Sequence, residues 1–196
     1  MTSEPIFAHD EPGYRESIAR VAVRLAETGE SVDAIASQVR NFVQRHLVHV
    51  RAIKGSGRTA HNLFAPADVA VAKVLRILTG LGLANAKLLQ DVSIALYAWD
   101  ANRWPAEARK LGLHPITTAL VDFAQNGAGW VLRIDILTND QTGEKVTEVA
   151  FYNPESSHRP ASRADNPTNG FMPEASIVVP IYRWLPRILG NATAAN

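Results

Sequence analysis

The chain has 196 residues, a formal net charge of +1, 46% hydrophobic and 20% charged residues. That is enough chain to bury a sizeable core, and too even a charge balance for a disordered or globally basic protein, so any basic function must come from local clustering. It contains no cysteine, which excludes a disulfide framework, thiol catalysis and cysteine-ligated metal and fits a reducing compartment.

Residues 1–12 carry Pro5 and Pro12 and no periodicity, and read as a flexible arm. The opening MTSEPIFAHDEPGY lacks the basic start and apolar run of a signal peptide. No apolar run approaches the ~18–20 residues that span a bilayer. A cytoplasmic protein with no membrane partner is expected.

From Gly13 the pattern is helical, with Ile18, Val21, Ala22 and Leu25 at three- and four-residue spacing and a stop at Gly29. Ser31 suits the N-cap of a second helix and Asp33 its first turn. Val32, Ile35, Val39, Phe42, Val43 and Leu47 form an apolar stripe. Asp33, Ser37, Arg40, Asn41 and Gln44 fall largely away from it. The two helices are a short turn apart, the spacing of a helix-turn-helix.

Leu47–Ile53 alternates and reads as a strand, with a return strand over Thr59–Phe64 and a hairpin tip at Gly55-Ser56-Gly57. The stretch Ser31–Val69 holds five Arg or Lys (Arg40, Arg45, Arg51, Lys54, Arg58) against the two acids Asp33 and Asp68. A helix followed by a basic hairpin suggests contact with a nucleic-acid backbone.

Pro66 fits the first turn of a third helix, with Val69, Ala72, Leu75, Leu78 and Leu81 inward and an end near Gly82. A fourth helix is expected over Ala86–Trp99, with Leu88, Leu89, Val92, Leu96 and Trp99 as its inner face. Short helices follow at about Pro105–Leu111 and Pro115–Gln125, the latter with Ile116, Ala119, Leu120 and Phe123 inward. Trp130–Thr138 and Lys145–Tyr152 read as an antiparallel hairpin. Its apolar residues (Trp130, Val131, Ile134, Ile136, Val146, Val149 and Phe151) can line a small core. Asn153–Pro173 reads as a long loop, Ser176–Tyr182 as a short β run, and Trp184–Leu189 as a final helical turn. Ile177–Ile181 can add a third strand or pair with another chain.

Two segments resemble the DNA-binding domain of the MerR family of winged-helix regulators. VRNFVQRHLV (Val39–Val48) is similar to that family's L-R-Y-Y-x-x-x-G-L pattern, with Asn41 and His46 where the pattern has Tyr and Gly. NLFAPADVAVAKVLRILTGLGL (Asn62–Leu83) matches its aromatic, its x-x-x-D-V helix start and its closing L-G at Phe64, Asp68, Leu81 and Gly82. LAETGESVD (Leu25–Asp33) resembles the first helix and turn. The likeness spans residues 14–97; the family's long dimerisation helix is not evident after Leu96.

The expected fold is therefore α+β: a winged helix-turn-helix with four helices and a β-hairpin wing over 13–100, then a smaller helix plus antiparallel β region over 101–196 for dimerisation or sensing. In such an arrangement the second helix enters the major groove. Ser37 faces the groove. Asn41 and Gln44 can bond adenine, and Arg40 guanine or phosphate. Arg45, near the helix end, addresses phosphate, and Arg51, Lys54, Arg58 and His61 belong to the wing, for phosphate or the minor groove. The expected partners are double-stranded DNA and a second copy of the chain, because two-fold symmetry doubles the contacts.

The six histidines (His9, His46, His49, His61, His114, His158) show no metal-ligand spacing. No catalytic motif stands out, and Asp135, Asp140, Glu144 and Glu148 read as ordinary surface. No enzyme activity or cofactor is expected. The alternatives to a transcription regulator are an architectural or excisionase-like DNA-binding protein and a protein–protein adaptor on the same fold.

Overall fold

The computed structural model describes residues 16–55, 61–100, 103–104, 113–156 and 159–189. Among these are six α-helices and two three-stranded antiparallel sheets, an α+β architecture. The chain divides into two compact units. One comprises Met1–Ala84 with Trp184–Asn196, the other Asn85–Arg183. The sequence suggests a change of character near residue 100 and keeps the C-terminus with the second region. The division instead lies at 84/85, and the chain returns to the first unit at Trp184.

The first unit starts with β1 (Glu16–Ser17), followed at once by α1 (Ile18–Leu25). The helix begins at Ile18, later than the periodicity suggests, because Glu16 and Ser17 pair with Phe64 and Leu63. The Ser17 hydroxyl then caps α1 by accepting from Arg20 N–H. Next comes α2 (Val32–Gln44), capped by Ser31, whose Oγ accepts from Ala34 N–H at 3.3 Å. Ile35, Ala36, Val39 and Phe42 are buried as the periodicity requires, but Val32 is exposed on the first turn.

The end of α2 is set by chain reversal. Leu47 N–H donates to Phe42 O and His46 N–H to Val43 O, both at 2.9 Å, with His46 left-handed at φ 57°. This is a Schellman stop, and the burial of both Phe42 and Leu47 supplies its hydrophobic contact. The expected strand from Leu47 shrinks accordingly to β2 (Ala52–Lys54), because residues 45–47 form the stop.

Strand β3 (His61–Phe64) pairs with both β2 and β1, giving the order β1-β3-β2. The hairpin tip 56–60, including Arg58, lies outside the described residues, as does the short helix expected at 105–111.

Helix α3 (Pro66–Gly80) is buried continuously from Ala67 to Leu75. Its first turn is fixed by Asp68, wholly buried, whose Oδ2 accepts from Ala65 N–H at 2.9 Å and from Arg51 Nε at 3.0 Å. Leu81, expected inward, is 62% exposed: it is the C-cap, past the last helical turn, with Gly82 left-handed behind it.

In the second unit, α4 (Ala86–Tyr97) buries Leu89, Val92 and Leu96, while Leu88 and Trp99 stay half-buried. Helix α5 (Pro115–Asn126) buries Ile116, Ala119 and Leu120 and leaves Phe123 half-buried. The sheet runs β5-β4-β6, with β4 Val131–Asn139, β5 Lys145–Tyr152 and β6 Phe171–Pro180. Trp130, Ile134, Val149 and Phe151 are buried in its core, while Val131, Ile136 and Val146 are half-buried. The late β run is a full third strand paired to β4, and it starts at Phe171 rather than Ser176.

The connection 153–170 is not plain loop. It holds 3-10 turns at Arg163–Asp165 and Pro167–Asn169. It also closes over part of the sheet: Glu148 accepts from Ser162 Oγ at 2.8 Å, and its side chain is only 11% exposed. Asp135, read as surface, is likewise buried, bonded to Arg133 Nε at 2.8 Å and to the Ser176 hydroxyl.

The C-terminal segment returns to the first unit as α6 (Leu185–Leu189), which packs on α3 and α1 and buries Leu185 and Ile188. Among the described residues no helix is long and apolar enough to cross a membrane, and no group of three or more histidines or acids could hold a metal ion.

Two substitutions test these local contacts by thermal unfolding. Asp68→Ala removes the acceptor of Arg51 Nε and of the Ala65 amide and is expected to destabilise the protein by about 3 kcal/mol. His46→Gly relieves a left-handed backbone and is expected to add roughly 0.5–1 kcal/mol. An unchanged midpoint in both would contradict these roles.

Candidate nucleic-acid interface

The α2 helix carries the candidate face because its two sides differ. Ser37, Arg40, Asn41 and Gln44 recur at three- and four-residue spacing, so they share one stripe, and all are exposed. Arg45 is the C-cap, also exposed, and its N–H is bonded to Asn41 O. The opposite side is buried against the unit's core.

Beside this face lies a groove of about 580 Å³, walled by the start of α1, the C-terminal half of α2 and β3. Ser17, Arg40, Gln44, His61 and Asn62 line it, and none of the described residues lining it is acidic. Every polar side chain there can donate a hydrogen bond, and one is permanently cationic, so the groove suits an anionic group.

The expected site residues therefore separate. Arg40, Gln44 and His61 meet in the groove. Ser37, Asn41 and Arg45 lie along the exposed helix outside its lining. Lys54 is exposed on β2, opposite His61 in register. Arg51 directs Nε into the ion pair with Asp68. Arg58 is outside the described residues. Sequence reasoning misses Ser17 and Asn62. Strand pairing is the signal for Asn62, since it sets that residue opposite Ile53 and beside His61. Ser17 carries no signal beyond its capping role.

The turn between α1 and α2 is held from several sides. Arg76 of α3 donates to Leu25 O at 2.9 Å, to Gln38 Oε1 at 3.0 Å and to Glu30 Oε1 at 2.7 Å. Lys73, buried on the same helix, pairs with Glu27. The hydrogen bond and charge of Lys73 hold the Glu27 carboxyl below its ordinary pKa, and the Glu27 amide followed by Arg76 does the same for Glu30. These contacts fix the angle at which α2 presents its polar stripe.

The second unit has a cleft of about 550 Å³ between α4 and β5. Its cations are engaged within the fold. Arg103 donates to Val149 O at 2.7 Å and Ala161 O at 2.8 Å, Lys87 pairs with Asp91, and Arg163 sits 5.3 Å above the Phe171 ring. The donor-lined groove beside α2 is the stronger candidate.

No family model matches the chain, and no curated protein matches it.

Proposed function

We propose that the first unit is a winged helix that binds double-stranded DNA, and that the protein is a sequence-specific transcription regulator acting as a homodimer. The observation that carries this reading is the exposed stripe Ser37, Arg40, Asn41 and Gln44 on α2, set beside a groove whose polar side chains can all donate a hydrogen bond. Two further features support it. The helix pair α1–α2 is inserted between β1 and β2 of a three-stranded sheet ordered β1-β3-β2, so the hairpin β2–β3 has the chain position of a wing. The likeness to MerR-type sequences falls on these same elements.

In this reading α2 lies in the major groove. Asn41 and Gln44 contact base edges. The groove takes a backbone phosphate through Arg40 and His61, with Asn62 as a further donor. Lys54, Arg58 and Arg45 neutralise other phosphates, which position the protein without reading sequence. Arg51 keeps the wing in place through Asp68. The protein performs no chemistry and carries no cofactor.

A second reading, a DNA-bending architectural protein, is favoured by one observation: Ile53 on β2 is 66% exposed. An apolar side chain on a wing can wedge between base steps and kink the duplex. Footprinting over genomic fragments separates the two, since a regulator protects one or a few sites and an architectural protein protects broadly.

Gel-shift titrations at several salt concentrations test the contact assignments. Gln44→Ala is expected to weaken the preferred site by roughly 1–3 kcal/mol, about five- to 150-fold, with little effect on unrelated DNA. Lys54→Ala and Arg58→Ala are expected to weaken all sequences alike and to flatten the salt dependence by roughly one phosphate each. Equal losses from all three variants on every sequence would contradict these roles. For the dimer, light scattering at protein concentrations well above a regulatory dissociation constant should give twice the 21.4 kDa chain mass; a monomer would refute it.

A further inference from the structure

The last described helix, α6, belongs to the first unit although the whole of Asn85–Arg183 separates it in sequence from the rest of that unit. Its attachment is specific. Leu185 and Ile188 are buried at 0% and 2% exposure, and the helix packs on α3 and α1. Arg187 donates through Nη2 to Ala26 O, and Arg24 of α1 donates through Nη1 to Ile188 O. Ala26 is the C-cap of α1, the first residue of the turn that leads into α2. Arg187 also lies near enough to Glu27 to favour its charged form.

The physical logic follows from the end of α1. The last carbonyls of a helix have no partner within it and sit at the negative end of its dipole. Here Leu25 O is taken by Arg76 and Ala26 O by Arg187. Two cations, one from α3 and one from α6, thus close the carbonyl end of α1 and fix where the turn departs. Arg76 has two further bonds, to Gln38 and Glu30, and extends from a long helix. Arg187 extends from a five-residue helix, so its contribution depends on that helix staying docked.

We infer that α6 is a positioning element for α2: Arg187, held by the docked Leu185 and Ile188, fixes the turn that sets the angle of the reading helix. The part concerning DNA rests on the function proposed above. The part concerning the turn stands on the contacts alone. A helix too short to be stable by itself thereby does structural work at a distance, because its two apolar side chains hold it and its one guanidinium reaches a carbonyl that α1 cannot satisfy.

The test uses the full chain and two readouts. Amide hydrogen exchange at Glu27–Ser31 is measured without DNA in wild type, Arg187→Ala and Arg187→Lys, with circular dichroism to establish that each folds. Arg187→Ala is expected to speed exchange there roughly tenfold while α3 amides are unchanged, and Arg187→Lys is expected to restore most of the protection. DNA affinity is then expected to fall several-fold on all sequences in Arg187→Ala, with the salt slope unchanged, because the lost contact is to the turn and not to phosphate. Unchanged exchange in Arg187→Ala would overturn the inference, as would faster exchange with unaltered DNA affinity. If no chain binds DNA at low salt, the DNA reading falls, and the exchange result still decides whether α6 holds the turn.

Discussion

The arrangement of the first unit depends on one cation. Arg76 extends from α3, 11% exposed at its side chain, and touches the end of α1 at Leu25 O, the turn at Glu30 and α2 at Gln38. A guanidinium can do this because its donors lie in a rigid planar fork. The three acceptors come from three consecutive pieces of chain, so their relative placement is fixed by one side chain. Lys73 and Arg187 add to the same junction through Glu27 and Ala26. Hydrophobic burial of α1 and α2 supplies most of the favourable free energy, but it is non-directional. The cations decide the angle.

That angle matters because it aims the exposed stripe of α2. The helix ends firmly at His46 and begins firmly at Ser31, so its length is fixed as well. The hairpin is anchored at its base by Arg51 and Asp68, the latter wholly buried. Both edges of the candidate surface are therefore tied to α3. A docking surface built this way needs little further ordering on binding, which favours affinity.

Much of this is legible in the residues, and the failures have identifiable causes. Helix faces follow the 3.6-residue period, so most of the buried face of α2 can be read directly, as can the β4–β5 hairpin, whereas α3 is buried on every side from Ala67 to Leu75 and the period picks out only one face of it. Leu81 and Val32 obey the period but stand at helix ends, where a cap or first turn removes the burial. His46 interrupts an apparent strand because a left-handed histidine looks, in sequence, like any other histidine. Its match to a glycine in the MerR-like pattern is the one signal. Asp135 and Glu148 look like surface because the groups that cover them, Ser176 and Ser162, are remote in sequence. The division at 84/85 is hidden for the same reason: α4 follows α3 across a short turn at 81–85, as the next helix within one domain would, and nothing local reveals that Leu185 returns to the first core. In the candidate site, charge and polarity single out Arg40, Gln44 and His61. They do not reveal the pairing of Arg51 with Asp68, since a basic residue before a hairpin gives no hint of a buried carboxylate on the helix beyond it.

Binding of duplex DNA by the polar stripe of α2 and the adjoining groove is tested most directly by selecting sheared genomic duplexes with the purified full chain and titrating the recovered fragments against salt. The predicted result is a small set of fragments sharing an inverted repeat, with affinity falling steeply as salt rises. Failure to retain any duplex at about 50 mM salt, where backbone contacts are strong, would contradict it.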